Sequence, residues 1–245
     1  MISYCSRPGS ISDRSIPEGR YRKDPSRPVI VTLPRSGRNW LLHTLEGYYQ
    51  KPIAWQNSPW FPNKSEDTEF FLVAAHDLPP IYHVESLVFL YRRDIVSSFS
   101  SWALATQKKM GNFQIGKYPF DKNFILQHLP SWRSTFKYYI FGLGFDRCVI
   151  TYEDLFENME SSVRDVVTFL NRCKGLEEDF DTRRFREIHN LVDKEYINYH
   201  APGNISNRRL EGVEDFRNEY ELFFGDFILE IMIDNDPRML EFFNV

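Results

Sequence analysis

Cysteine is scarce in this chain, with three residues in 245, at positions 5, 148 and 173. Three thiols cannot all pair with one another, and none stands in a Cys-x-x-Cys spacing. A disulfide scaffold and a cysteine-based zinc site are therefore excluded, and a reducing compartment is the expectation. No run approaches the roughly 18 apolar residues that a membrane helix needs, and the first residues lack the apolar stretch of a secretory signal. These absences point to a cytoplasmic protein without a membrane partner. An excess of one charge sign is also missing. Thirty Lys and Arg stand against 34 Asp and Glu, a formal net charge of −4, which gives no global attraction for nucleic acid or a highly charged polymer. Any anion site must be local. No cluster of His and carboxylates offers a metal site, and neither an internal repeat nor a low-complexity tract is visible. Aromatic residues are abundant instead, at 16% with 21 Phe and 13 Tyr. They build large cores, and they also suit a pocket for a flat or apolar group.

Residues 1–27 read as a flexible tail. Serine, proline and glycine interrupt any periodicity there, and Arg7, Arg14, Arg20, Arg22, Lys23 and Arg27 outnumber the acids. Such a tail is either a solvated arm or a strap that lays cations near an anion. From residue 28 to 245 the pattern is that of one α/β domain. Val29–Leu33 is a short β-branched run of the kind found in strands buried on both faces. A Pro34-Arg35-Ser36-Gly37-Arg38 turn follows, then a helix to Tyr49 capped by Asn39 or Ser36. Phe70–Ala75, Ser86–Tyr91 and Arg147–Thr151 are three further strands. The second of these leads into a helix with Ile95, Phe99 and Trp102 on one face, the third into a helix through Leu170. Strands alternating with helices imply a central parallel sheet flanked by helices, and ligands bind such sheets beyond the carboxyl ends of the strands. Two irregular stretches, Lys51–Glu69 and Gln107–Asp121, carry aromatics and turn residues, which suits binding loops.

The turn after the first strand has the chemistry of an anion cradle. A helix start presents unpaired N–H groups and about half a positive charge. Gly37 admits close approach of an oxyanion, Ser36 adds a hydroxyl, and Arg35 and Arg38 add charge-assisted donors. A strand-to-helix turn with solvated arginines is the alternative. The nucleotidase loop Gly-x-x-x-x-Gly-Lys-Ser/Thr does not fit, because this turn holds one glycine and no lysine.

Thr32-Leu33-Pro34-Arg35-Ser36-Gly37-Arg38-Asn39-Trp40-Leu41 resembles the 5′-phosphosulfate loop of sulfotransferases that use 3′-phosphoadenylyl sulfate (PAPS), usually Thr-x-Pro-Lys/Arg-Ser-Gly-x-x-Trp-Leu. Further segments resemble that family in order. Arg93 and Ser101 have the spacing of its 3′-phosphate pair, with Arg92 and Ser100 as the alternative registration. Ser97 and Ser101 lie a turn apart, off the Ile95–Phe99–Trp102 face, where their hydroxyls would be free to meet a ligand. His76-Asp77-Leu78-Pro79 is similar to the segment carrying the general base, although Ala74 stands where the family often has Lys. Thr151-Tyr152-Glu153-Asp154-Leu155 resembles the segment whose tyrosine packs near adenine. Arg208 to Asn218 keeps the arginine and the Asp-aromatic-basic-Asn end of the closing loop, without its glycine spacing.

The resemblance implies a P-loop-like, cytosolic-type sulfotransferase domain that binds PAPS and releases PAP without a metal. Arg35 and residues Ser36, Gly37, Arg38, Asn39 and Trp40 would hold the 5′-phosphosulfate, and His76 would take the acceptor's proton. Arg93, Ser101 and Arg209 would hold the 3′-phosphate, with Trp40 and Tyr152 at the adenine. The acceptor would be a small molecule or a carbohydrate. Two alternatives use the same loop: a small-molecule kinase, with Asp77 or Asp94 holding magnesium, and a nucleotide-binding module without catalysis.

Overall fold

The computed structural model describes residues 28–54, 70–75, 84–109, 122–192 and 213–243. The β-branched run after Pro28 forms the central strand β1 (Val29–Thr32), every residue of which is buried. Helix α1 (Arg38–Tyr49) and a two-residue strand β2 (Ile53–Ala54) follow, then β3 (Leu72–Ala75) and β4 (Ser86–Tyr91). Helices α2 (Ile95–Lys109) and α3 (Lys122–Phe141) lead to β5 (Asp146–Thr151). Beyond it lie α4 (Tyr152–Glu157), α5 (Met159–Cys173), α6 (Thr182–Leu191) and α7 (Val213–Ile233), closed by a 3-10 turn at Pro237–Glu241. The five strands lie in the order β2-β3-β1-β4-β5, and every pairing is parallel. The chain therefore crosses from one side of β1 to the other between β3 and β4. That crossover makes the carboxyl end of β1 the switch point at which such sheets bind ligands.

Period-two alternation divides the core between the two faces of the sheet. Val29, Val31, Leu87 and Phe89 face α2, α3 and α7, where Phe99, Trp132, Phe136, Tyr220 and Ile228 meet them. Ile30, Leu72, Val88, Leu90 and Ile150 face α1, α5 and α6 through Leu41, Leu45, Val166, Leu170 and Phe185. Ile95 and Phe99 are buried as the helical spacing predicts, and Trp102 packs partly buried beside them. Polar contacts then fix the angles of the outer helices. The Tyr49 hydroxyl donates to Asn171 Oδ1 at 2.8 Å, and the Asp181 N–H donates to the Tyr48 hydroxyl at 2.8 Å. The Ile53 N–H donates to the buried Glu46 carboxylate at 2.8 Å, which pins β2 beside α1.

Two expectations are corrected. The helix after β5 is not continuous to Leu170: it breaks at Asn158, whose backbone is non-helical and whose side-chain oxygen accepts the Ser161 N–H to start α5. The segment from Val213 to Asn218, read as part of a closing loop, opens the 21-residue helix α7. The tail 1–27, loop residues 55–69 and 110–121, the segment 76–79 and residues 208–212 lie outside the described residues.

Arg147 closes the junction between α3 and β5. Its guanidinium donates to the carbonyls of Tyr139, at 2.9 Å, and of Ile140 and Gly142, and it lies over the Phe145 ring. These carbonyls are the acceptors that a helix end leaves unpaired. Replacing Arg147 by Ala should lower stability by about 2 kcal/mol, read as a fall in the urea midpoint at constant slope. On the same strand, burial pushes the Cys148 thiol up to about 12, Asp165 adding to the shift and Arg172 opposing it. A raised pKa keeps the thiol protonated, and the thiolate is the nucleophile. Alkylation of native Cys148 by iodoacetamide at pH 8 should thus run at least ~100-fold slower than in the unfolded chain. Equal rates by peptide mass spectrometry would contradict this environment.

Candidate functional site

Beyond β1 the chain makes a turn that is held from beneath. The Leu33 N–H donates to Leu90 O at 3.0 Å, continuing the pairing with β4. Ser36 is fully buried, and its hydroxyl reaches Leu33 O at 2.6 Å and Leu90 O at 3.3 Å. The hydroxyl therefore faces the sheet, and Ser36 offers the loop surface its backbone. Arg35 takes a φ of 65° and Gly37 a φ of 84°, both left-handed. For arginine that conformation costs about 1–2 kcal/mol, and it persists only where neighbours enforce it. One such neighbour is Ser98 of α2, whose hydroxyl donates to Pro34 O at 2.8 Å.

The capping residue of α1 is Gly37, not Asn39 or Ser36. Asn39 lies inside the first turn, and Ser36 is committed to the strand carbonyls. This sets α1 apart from its neighbours. The start of α2 is capped by Asp94, which accepts the Ser97 N–H at 2.9 Å. A reciprocal capping box, Thr151 with Asp154, opens α4, and Asn158 and Asp181 cap α5 and α6. By contrast α1 has no side-chain cap and no acid in its first turn. Its positive end is therefore not neutralised by a side-chain cap or a first-turn acid.

The carboxyl ends of β4 and β5 bring charge and an aromatic ring to the same edge. A Cβ at position 37 would lie 2.8 Å from Tyr152 Cδ2, so the tyrosine ring rests against the Gly37 backbone. Arg92 lies over that ring, its guanidinium carbon 5.2 Å from the centroid. Its Nη2 is 3.4 Å from Asp94 and its Nε 3.8 Å from Glu153. Arg93 is more exposed and pairs with Asp154 at 3.0 Å. Burial pushes the Tyr91 hydroxyl up to about 12, with the Arg93 guanidinium pulling the other way. Arg93 thus lies between Tyr91 and Asp154, whereas Arg92 lies over the ring that touches Gly37.

The serines of α2 are arranged differently from the spacing argument. The Ser97 hydroxyl is not free for a ligand: it donates to Glu221 Oε1 of α7 at 2.7 Å. Ser100 donates to Ser97 O at 3.1 Å and lies 3.4 Å from the same carboxylate. Ser101 is buried. Arg35, Arg38 and Asn39 are half-buried at the loop. Trp40 packs on Ile188 and Val192 of the α6 end, with its Nε1 buried. His76 and Arg209 lie outside the described residues. Among the described residues no group of three or more His, Cys, Asp or Glu could hold a metal ion, and no helix is long and apolar enough to cross a membrane. Spacing alone missed Ser98 and Glu153. The Thr-x-x-Asp signature of a capping box at Thr151 was legible and would have placed Glu153 in the first turn of a helix at the site.

No protein-family model matches the chain. A curated relative, Sulfotransferase 2A1 of Macaca fascicularis, is 20% identical over 176 residues, a match spanning 61% of this chain and 61% of the relative. Mouse sulfotransferase SULT7A1 complexed with PAP superimposes with a TM-score of 0.53 at 13% identity, covering 91% of each chain. The fold is the sulfotransferase fold. A retinol dehydratase in complex with androsterone and inactive cofactor PAP aligns with a TM-score of 0.45 at 13% identity, covering 88% of this chain and 84% of that one. Within the sulfotransferase fold, the loop after β1, the turn after β4 and the start of α4 converge at one edge of the sheet.

Gly37 tests that convergence. Gly37→Ala meets both a left-handed backbone and the Tyr152 ring, whereas Gly144, with a φ of 92°, has nothing within 4 Å of an added Cβ. Gly144→Ala should cost about 1 kcal/mol from backbone strain alone. Gly37→Ala should cost about 2–3 kcal/mol and also displace Tyr152. Parallel thermal melts would show equal losses if the ring were not seated on the loop.

Proposed function

We propose that the protein transfers a sulfuryl group from PAPS to a hydroxyl or amine of a small-molecule or carbohydrate acceptor. The observation that carries this reading is the start of α1. It is left without a side-chain cap at the switch point of a sulfotransferase fold, with arginines on the loop and at the neighbouring strand end. PAPS, when bound, supplies the activated sulfuryl group and a phosphate leaving group. The residues present fit such a group: a helix start without a side-chain cap or a carboxylate, and an aromatic ring seated on the glycine that begins it.

In this reading Arg35 and the backbone from Ser36 to Trp40 receive the 5′-phosphosulfate and stabilise charge that builds on the departing phosphate. Trp40 and Tyr152 bound the space for the base. An arginine at the β4 end holds the 3′-phosphate, either Arg93 with Ser101 or Arg92 with Ser100, together with Arg209. The position of Arg92 over Tyr152 favours Arg92, acting without Ser100, whose buried hydroxyl is committed to Ser97 O beside Glu221. His76 takes the proton from the acceptor, a role worth about 10²–10⁴ in rate. A kinase would need carboxylates ready to hold magnesium. Those described at this edge are otherwise engaged: Asp94 and Asp154 cap helices, and Glu153 accepts two backbone N–H groups.

Calorimetry against adenosine 3′,5′-bisphosphate, with ATP and magnesium as the comparison, tests the reading. Binding of the bisphosphate at micromolar Kd or tighter is expected, weakened at least ~10-fold in Arg92→Ala and unchanged in His76→Ala. With PAPS and a phenol or sugar panel, His76→Ala should lose about 10²–10⁴ in kcat. Clear binding of ATP with none of the bisphosphate would select the kinase.

A further inference from the structure

We infer that Glu153 is a positioning residue for the anion site: one carboxylate that ties the β4–α2 turn to α4 and holds Arg92 at the loop. The inference deepens the sulfotransferase reading and rests on it. Oε2 of Glu153 accepts the Arg93 N–H at 3.0 Å, and Oε1 accepts the Asp94 N–H at 3.3 Å. The same Oε1 lies 3.8 Å from Arg92 Nε. Two consecutive N–H groups, some 60 positions away in sequence, are therefore bonded by one half-buried side chain, and the residue before them, Arg92, faces it at ion-pair distance.

The consequence is positional. Arginine side chains are long and lose considerable rotamer entropy when held. Arg92 is held between three partners: the Tyr152 ring beneath it, Asp94 on one side and Glu153 on the other. Two of these belong to α4, whose start is itself fixed by the Thr151–Asp154 capping box. Tyr152 also touches Gly37. Glu153 thus sets the spacing between the loop that opens α1 and the arginine that faces it. Because its carboxylate takes the Arg93 and Asp94 N–H groups, the β4–α2 turn contributes to anion binding through its arginine side chains and not through those amides. Glu153 itself makes no contact with the ligand.

The test compares adenosine 3′,5′-bisphosphate with adenosine 5′-monophosphate by calorimetry on the full chain, since the ratio of their affinities isolates the 3′-phosphate. Glu153→Ala should reduce that ratio by about tenfold, with the monophosphate affinity held within about threefold. A ratio unchanged from the wild type, whether both affinities fall together or neither falls, would overturn the inference. Such a result would make the residue merely structural. Should Glu153→Ala fail to fold, Glu153→Gln serves: it keeps one carbonyl acceptor and removes the charge facing Arg92. A smaller but definite fall in the ratio is expected, and no fall overturns the inference. A wild-type protein without preference for the bisphosphate would sink the sulfotransferase reading itself, before any variant is made.

Discussion

Everything at the functional edge depends on how the chain satisfies the N–H groups at the helix starts. A helix start leaves four such groups unpaired, and this sheet directs several starts toward one edge. The chain supplies Asp94 to α2, the Thr151–Asp154 pair to α4 and Asn158 to α5. At α1 it supplies glycine. The serine that could have capped that helix is turned down onto the carbonyls of Leu33 and Leu90. Of the helix starts described at this edge, α1 is thus the one whose N–H groups no side chain caps.

The same economy explains why Gly37 and Tyr152 belong together. A left-handed glycine turns the backbone so that the loop can close over the strand end, and its missing Cβ leaves room for the tyrosine ring. The ring in turn is a platform for Arg92, a contact of electrostatic origin between guanidinium and π face. Sheet parallelism makes this possible. Because β1, β4 and β5 pair in register and all run the same way, their carboxyl ends, and the turns that follow them, meet at one level.

Much of this was legible in the sequence. The strands Val29–Thr32 and Ser86–Tyr91 are nearly continuous apolar or β-branched runs bounded by turn residues, and they and Asp146–Thr151 lie where the sequence places them, to within a residue. The turn between β1 and α1 was legible because proline and glycine punctuate it. By contrast β2, with two residues, carries no periodic signal, and its place is fixed by a long-range bond to Glu46. Helix α3 was hidden by Pro130, which lies within it. Helix α7 was hidden because a resemblance to a closing loop covered its first turns. The serines of α2 show the same limit at the site: spacing places Ser97 and Ser101 on one face, but it cannot say that Glu221, 124 residues from Ser97, lies opposite.

Charge at the site follows a related logic. The whole chain is slightly acidic, and even this edge sets three carboxylates, Asp94, Glu153 and Asp154, beside Arg92 and Arg93. A count of formal charge would make it a poor place for an anion. The geometry qualifies that count, because each carboxylate is bonded to a backbone N–H at a helix start or at the turn leading into one. There its negative charge meets the positive end of a peptide dipole. Arg92 lies over the Tyr152 ring, while Arg93 pairs with Asp154. The net negative formal charge of these groups therefore does not by itself set the local potential, which also depends on the peptide dipoles that the carboxylates face.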